Sequence, residues 1–137
     1  MAYWLVKSEP NTWSWDDHVK KGIEPWDGVR NYQASNNMKA MQIGDKAFFY
    51  HSVKEKRIVG TVEVVKEYYP DPTDEKGKFG MVDFKALVPF ATPITLQHIK
   101  DDERLNHLPL VKQSRLSVMP IDDESWALIC ALGGIAP

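Results

Sequence analysis

Between Trp26 and Ala34 the chain reads Trp-Asp-Gly-Val-Arg-Asn-Tyr-Gln-Ala. The indole of Trp26 and the phenol of Tyr32 can stack on a flat ring. The Asn31 amide both donates and accepts, as reading the polar edge of such a ring requires. Arg30 carries a planar fork suited to a phosphate or to stacking, and Asp27-Gly28 marks a turn. The segment therefore combines stacking, edge recognition and anion contact. Each residue also has a plainer reading that the sequence leaves open. Trp26 could plug a core, Asn31 could satisfy its own turn, and Arg30 could pair with Asp27 or Glu9.

Other candidates lie outside this segment. Lys7-Ser8 closes a strand-like stretch, where an ammonium, a hydroxyl and backbone N–H groups can face a pocket mouth. His51-Ser52 closes another in the same manner. Tyr32 and Phe79 could complete an aromatic wall or belong to the core. Arg115 could meet a phosphate or simply be solvated. Lys54, Lys56 and Arg57 form a small basic cluster interrupted by Glu55, the usual composition of a solvated hairpin tip.

Catalytic chemistry has no such support. Cys130 stands beside Ile129 and Leu132 in a helical pattern and reads as a buried apolar residue. His18, His51, His98 and His107 show no metal-ligand spacing. Phosphate loops, nucleophile elbows and dinucleotide fingerprints are absent. The pairs Asp16-Asp17, Asp101-Asp102 and Asp122-Asp123 fall where helix ends favour negative charge. We therefore expect no catalytic residue, no metal site and no cofactor.

Composition narrows the choice further. A chain of 137 residues is expected to form one domain over 1–137 with its own core. Net charge is −2 and the pI is about 6.1, which argues against gripping nucleic acid through a broad basic face. Contact with nucleic acid would have to be local. One cysteine excludes an intrachain disulfide, and the beginning of the chain carries neither a basic leader nor a long apolar run. A cytoplasmic monomer without a membrane partner is expected.

The elements that must position these residues follow from periodicity and punctuation. Tyr3–Lys7, Lys46–His51, Arg57–Tyr69, Met81–Val88 and Leu116–Met119 read as strands, with Val82, Phe84, Ala86 and Val88 on one face. Thr12–Lys21, Gln33–Met41, Thr95–Asp101 and Asp122–Leu132 read as helices, the last capped by Asp122 and stopped at Gly133-Gly134. Residues 26–32 and 70–77 read as loops. The fold class is α+β, around a curved, mostly antiparallel sheet decorated by short helices.

Five strings then occur in one order: Lys7-Ser8-Glu9-Pro10, Trp26 to Ala34, Phe48 to Ser52, Tyr69-Pro70-Asp71 and Arg115-Leu116-Ser117. In this the chain resembles the EVE domain family over about Tyr3 to Leu132. That family belongs with the PUA-like folds, whose YTH branch reads methylated adenine in RNA. The resemblance implies a β-barrel-like sheet and a pocket for a modified base: a modified cytosine in DNA, or a modified base in RNA. It implies that Trp26, Asn31, Ser8, Tyr32, Phe79 and Ser52 meet the base, and that Lys7, Arg30 and Arg115 meet its sugar-phosphate. Two positions depart from the family pattern: Ser35 stands where members often carry arginine, and Phe79-Gly80 where many have tryptophan. The expectation is a non-catalytic reader that holds a flipped modified base. The alternatives are a pocket for a free nucleobase or nucleoside, and an RNA-processing or nucleotide-modifying enzyme.

Overall fold

The computed structural model describes every residue from Met1 to Pro137. Strand β1 (Tyr3–Ser8) runs inside the sheet, in parallel with β3 (Lys46–His51) and antiparallel to β6 (Val118–Ile121). Both of its faces are covered, which is why Trp4, Leu5 and Val6 are buried in succession rather than in alternation. The aromatic run Phe48-Phe49-Tyr50 in β3 is buried for the same reason. Because β1 and β3 are parallel and in register at Ser8 and His51, both finish at one end of the sheet. The crossover between them carries α1 (Trp15–Lys21), β2 (Ile23–Pro25) and α2 (Tyr32–Ala40). That crossover contains the Trp26 segment.

Two long strands, β4 (Arg57–Pro70) and β5 (Gly80–Thr95), complete a six-stranded sheet of order β2-β5-β4-β3-β1-β6. Val82 and Phe84 are buried as their alternation predicts. The β4–β5 register then slips between Gly60 and Val62, so Val88 points to solvent and Phe90 reaches the core. A slip of this kind exchanges the faces of every later side chain. The strand also continues to Thr95, well beyond the expected end at Val88. The sheet bends through these irregularities and stays open, since β2 and β6 each have a single strand neighbour. Gly80 is required where β5 begins: a Cβ there would lie 2.5 Å from the Tyr69 carbonyl oxygen.

Helix α1 starts later than the sequence suggests. Ser14 is extended and accepts from the Asp17 N–H, while the Asp17 carboxylate accepts from Ser14 N, a reciprocal cap that sets the first turn at Trp15. Helices α3 (Leu96–Asp101), α4 (Pro109–Lys112) and α5 (Asp123–Gly133) follow β5 and flank β6. Asp122 caps α5 as expected, and Gly134 ends it in the left-handed conformation at φ 75°. Neither β2 nor α4 is legible in the sequence, and the last strand lies at Val118–Ile121 rather than Leu116–Met119. Leu116 packs into the core just before it. A continuous cluster of 32 buried hydrophobic residues joins these elements. No helix is long and apolar enough to cross a membrane.

Candidate functional site

Trp26 leaves β2 with its N–H bonded to the Val82 carbonyl at 2.8 Å. Its indole stands nearly perpendicular to Phe49 (85°) and Phe84 (86°), which hold it from the sheet side. Although 7% exposed, it also forms one wall of a cavity of about 410 Å³ at the end of β1. That volume is in the range of small-ligand pockets. Trp26 is thus both the core plug of the plain reading and a pocket wall.

Trp13, a residue the sequence did not single out, supplies a second indole to the same cavity. Its Nε1–H donates to His18 Nδ1 at 3.0 Å, and His18 Nε2–H donates to the Phe84 carbonyl at 2.9 Å. Accepting at Nδ1 while donating at Nε2 requires the neutral imidazole. Burial favours the same state: it pulls the His18 pKa below its ordinary value despite the Phe84 bond and the nearby Glu24 charge. A completely buried histidine therefore orients a cavity tryptophan from behind. Ser8 contributes to the same turn, its hydroxyl donating to the Trp13 carbonyl oxygen.

The floor of the loop is a clasp. Asp71, buried at the end of β4, accepts from Gly28 N–H at 2.9 Å and from Arg30 Nη1 at 3.0 Å through one oxygen. Its other oxygen accepts from Thr73 N–H and hydroxyl. Arg30 also donates to the Val29 carbonyl and to Thr73 Oγ1. Burial alone would raise the Asp71 pKa, but the bonds from Thr73, Gly28 and Arg30 outweigh it and hold it at about 2. Gly28 permits the approach because its φ is 81°, which few other residues adopt. Arg30 is consequently an anchor for the loop as well as a cavity wall.

Among the candidates from the sequence, Trp26, Ser8, Lys7 and Arg30 meet in this cavity. Lys7 Nζ donates to the Ser114 carbonyl at 2.9 Å and lies 5.8 Å from the Tyr50 ring centre. Burial lowers the Lys7 pKa. Asn31 is not in the cavity: its side chain accepts from Ala34 N–H at 2.9 Å and caps α2. It lies instead on a shallow shelf of about 330 Å³ with Lys112 and Arg115. Ser52 is outside as well, its backbone N–H tying the β3 end to the Ser8 carbonyl at 2.9 Å. His51 is structural, accepting from Trp15 N–H and bonding Glu55, both at 3.0 Å. Tyr32 and Phe79 pack on each other across a separate groove. Ser35 is buried with its hydroxyl 2.8 Å from Tyr68 Oη, so this position faces the interior.

The cavity also holds acids that the sequence left unranked: Glu9, Glu24 and Asp27. Glu9 belongs to the Lys-Ser-Glu-Pro string, a signal that was available. Trp13, His18 and Glu24 had none, since only the fold of the crossover brings them to the end of β1. Away from the cavity, burial pushes the Cys130 thiol up to about 11, which leaves it a poor nucleophile.

The chain thus combines an α+β fold with a tryptophan-walled cavity at the end of a parallel strand pair. Residues 2–132 match the EVE domain, and the chain belongs to that family. An NMR structure of a Rhodopseudomonas palustris protein is 54% identical and superposes with a TM-score of 0.92, over 98% of this chain and 94% of that one. The human THYN1 protein, crystallised in complex with DNA containing 5-methylcytosine, is 33% identical with a TM-score of 0.91 over 100% of both chains. Thymocyte nuclear protein 1 of Gallus gallus is 34% identical over 96% of this chain and 68% of its own. The PUA-like architecture implied by the resemblance is the one the chain adopts.

Proposed function

We propose that the chain is a non-catalytic reader of a modified base, a methylated cytosine in DNA, held extrahelically in the Trp13–Trp26 cavity. The observation that carries this reading is a cavity walled by two indoles, one fixed by the core and the other by His18. Indole walls offer stacking worth roughly 1–3 kcal/mol per base, while extruding a base costs a few kcal/mol. The ligand class follows from the complex of the human relative with 5-methylcytosine DNA.

The polar lining suits cytosine. Glu9, Glu24 and Asp27 share the cavity with Lys7 and Arg30, so carboxylates outnumber cations. A carboxylate accepts from the exocyclic amine of cytosine, and Pro25 or Val29 can meet a methyl group. Phosphates are poorly matched to this interior and better matched to the shelf carrying Lys112 and Arg115. This makes Arg115 a contact to the strand outside, while Ser8, whose proton is committed to Trp13, acts as an acceptor toward the base.

The excess of acids also favours a second reading, a pocket for a free nucleoside. Titration of the protein with single-stranded and duplex oligonucleotides carrying cytosine or 5-methylcytosine, alongside the free nucleosides, separates the two. The reader requires tighter binding to the methylated strand than to its unmodified twin, and a gain from flanking nucleotides. Equal affinity for the nucleoside and the strand would establish the alternative.

A further inference from the structure

Tyr32 is the one aromatic residue among the large hydrophobic side chains that are exposed, at 62%. It opens α2, and its ring lies 4.9 Å from that of Phe79 at an angle of 38°. The pair borders a groove of about 530 Å³ whose other walls include Arg30, Lys76 and Lys78. Phe79 is held in place: its N–H donates to Asp74 at 2.7 Å and its carbonyl accepts from Asp71 N–H at 3.2 Å. The Arg30 guanidinium stands 5.8 Å from the Phe79 ring centre.

The groove carries three cations, Arg30, Lys76 and Lys78, against two acids, Asp74 and Glu75. Asp74 accepts from the backbone N–H groups of Lys76, Lys78 and Phe79, which fixes the turn that presents the two lysines and keeps the carboxylate ionised. Arg30 is paired with Asp71. Lys76 and Lys78 share the groove with Asp74, whose oxygens are taken up by backbone N–H groups, and with Glu75. An exposed tyrosine seated on a half-buried phenylalanine beside two lysines matches a nucleobase with its phosphate. Its position selects which one, since Arg30 lines both this groove and the Trp26 cavity.

We infer that the Tyr32–Phe79 groove is a second stacking site, which takes the nucleotide adjacent to the base held in the Trp26 cavity. The inference rests on the proposed occupancy of that cavity by a base. The strand crosses over Arg30, the neighbouring base stacks on Tyr32, and a phosphate of that nucleotide meets Lys76 or Lys78. Stacking engages a ring face and reads no edge, so the site accepts any neighbouring base. It contributes affinity for a strand over a nucleoside, and it explains how a chain of net charge −2 can hold a strand through few ionic contacts.

The test uses the full chain with 5-methyl-2′-deoxycytidine, and with a short single strand containing it at the centre. Tyr32→Ala is expected to leave nucleoside affinity unchanged and to weaken strand binding by roughly 5- to 100-fold, while Tyr32→Phe restores it. An abasic site beside the methylated cytosine, tried on each side, should reproduce the loss on one side and add nothing to Tyr32→Ala. Equal strand affinity of wild type and Tyr32→Ala would overturn the second site and leave the cavity standing. Trp13→Ala and Trp26→Leu, each checked for folding by thermal unfolding, separate the two ideas: unchanged nucleoside binding in both variants would instead overturn the cavity reading on which the inference rests.

Discussion

Trp26 and Tyr32 belong to one short segment, and the structure treats them oppositely. Trp26 is locked between Phe49 and Phe84 with one side open to a cavity. Tyr32 stands in solvent on Phe79. Between them the Arg30–Asp71 clasp fixes the loop to the end of β4. The difference teaches that a pocket wall in a domain this small is part of its core. On the proposed function, recognition and stability are coupled at Trp26 and separable at Tyr32.

The largest effect that can break this comparison is the loss of Trp26. Trp26→Ala should remove about 3–5 kcal/mol of stability along with the indole wall, seen as a lower denaturation midpoint. Tyr32→Ala should stay within about 0.5 kcal/mol of wild type. Similar losses for both variants would erase the distinction between the two walls.

Next comes the clasp. Asp71→Asn should cost roughly 1–3 kcal/mol, because an amide cannot satisfy Gly28, Arg30 and Thr73 as the carboxylate does. Its acid profile is set by the direction of its shift. The folded pKa of about 2 lies below the ordinary 3.8, so the contribution is full above 3.8 and is lost as pH falls toward 2. Wild type and Asp71→Asn should therefore converge in stability below that window. A difference that persists there would place the effect outside the carboxylate.

The smallest effect concerns His18, which sharpens the account of the Trp13 wall. Its folded pKa lies below the ordinary 6.5, so the unfolded chain binds the proton more readily. Stability supplied by the neutral ring is full above 6.5 and declines as pH falls below it toward the folded value. Protonation would also place a donor against the Trp13 N–H. His18→Gln should flatten this part of the pH–stability curve, at a cost of about 1–2 kcal/mol near neutrality. A curve as steep as that of the wild type would remove His18 from this role.

Much of the architecture was legible because local chemistry and tertiary demand agree. Asp122 and Gly134 cap a helix as their types dictate, and the aromatic β3 run is buried as its composition suggests. The sequence also singled out the Trp26–Ala34 segment and four residues that line one cavity. It could not choose for Asn31, because capping a helix and reading a base edge use the same amide. Nor could it choose for Tyr32 and Phe79, since aromatic character suits a cage, a core and a surface platform equally.

By itself, then, the sequence determined an α+β chain of near-neutral charge that belongs with the EVE domains and lacks a recognisable catalytic motif. Those properties depend on composition, short-range pattern and ordered strings, which the chain carries locally. Only the tertiary structure decided that Trp13 joins Trp26, that His18 stands behind them, and that Arg30 separates two aromatic sites. These contacts form where β1, the crossover and the β4–β5 loop converge at one end of the sheet. Residues distant in sequence meet there because burying Trp26 against Phe49 and Phe84, and tying Gly28 and Arg30 to Asp71, leaves the loop no other course.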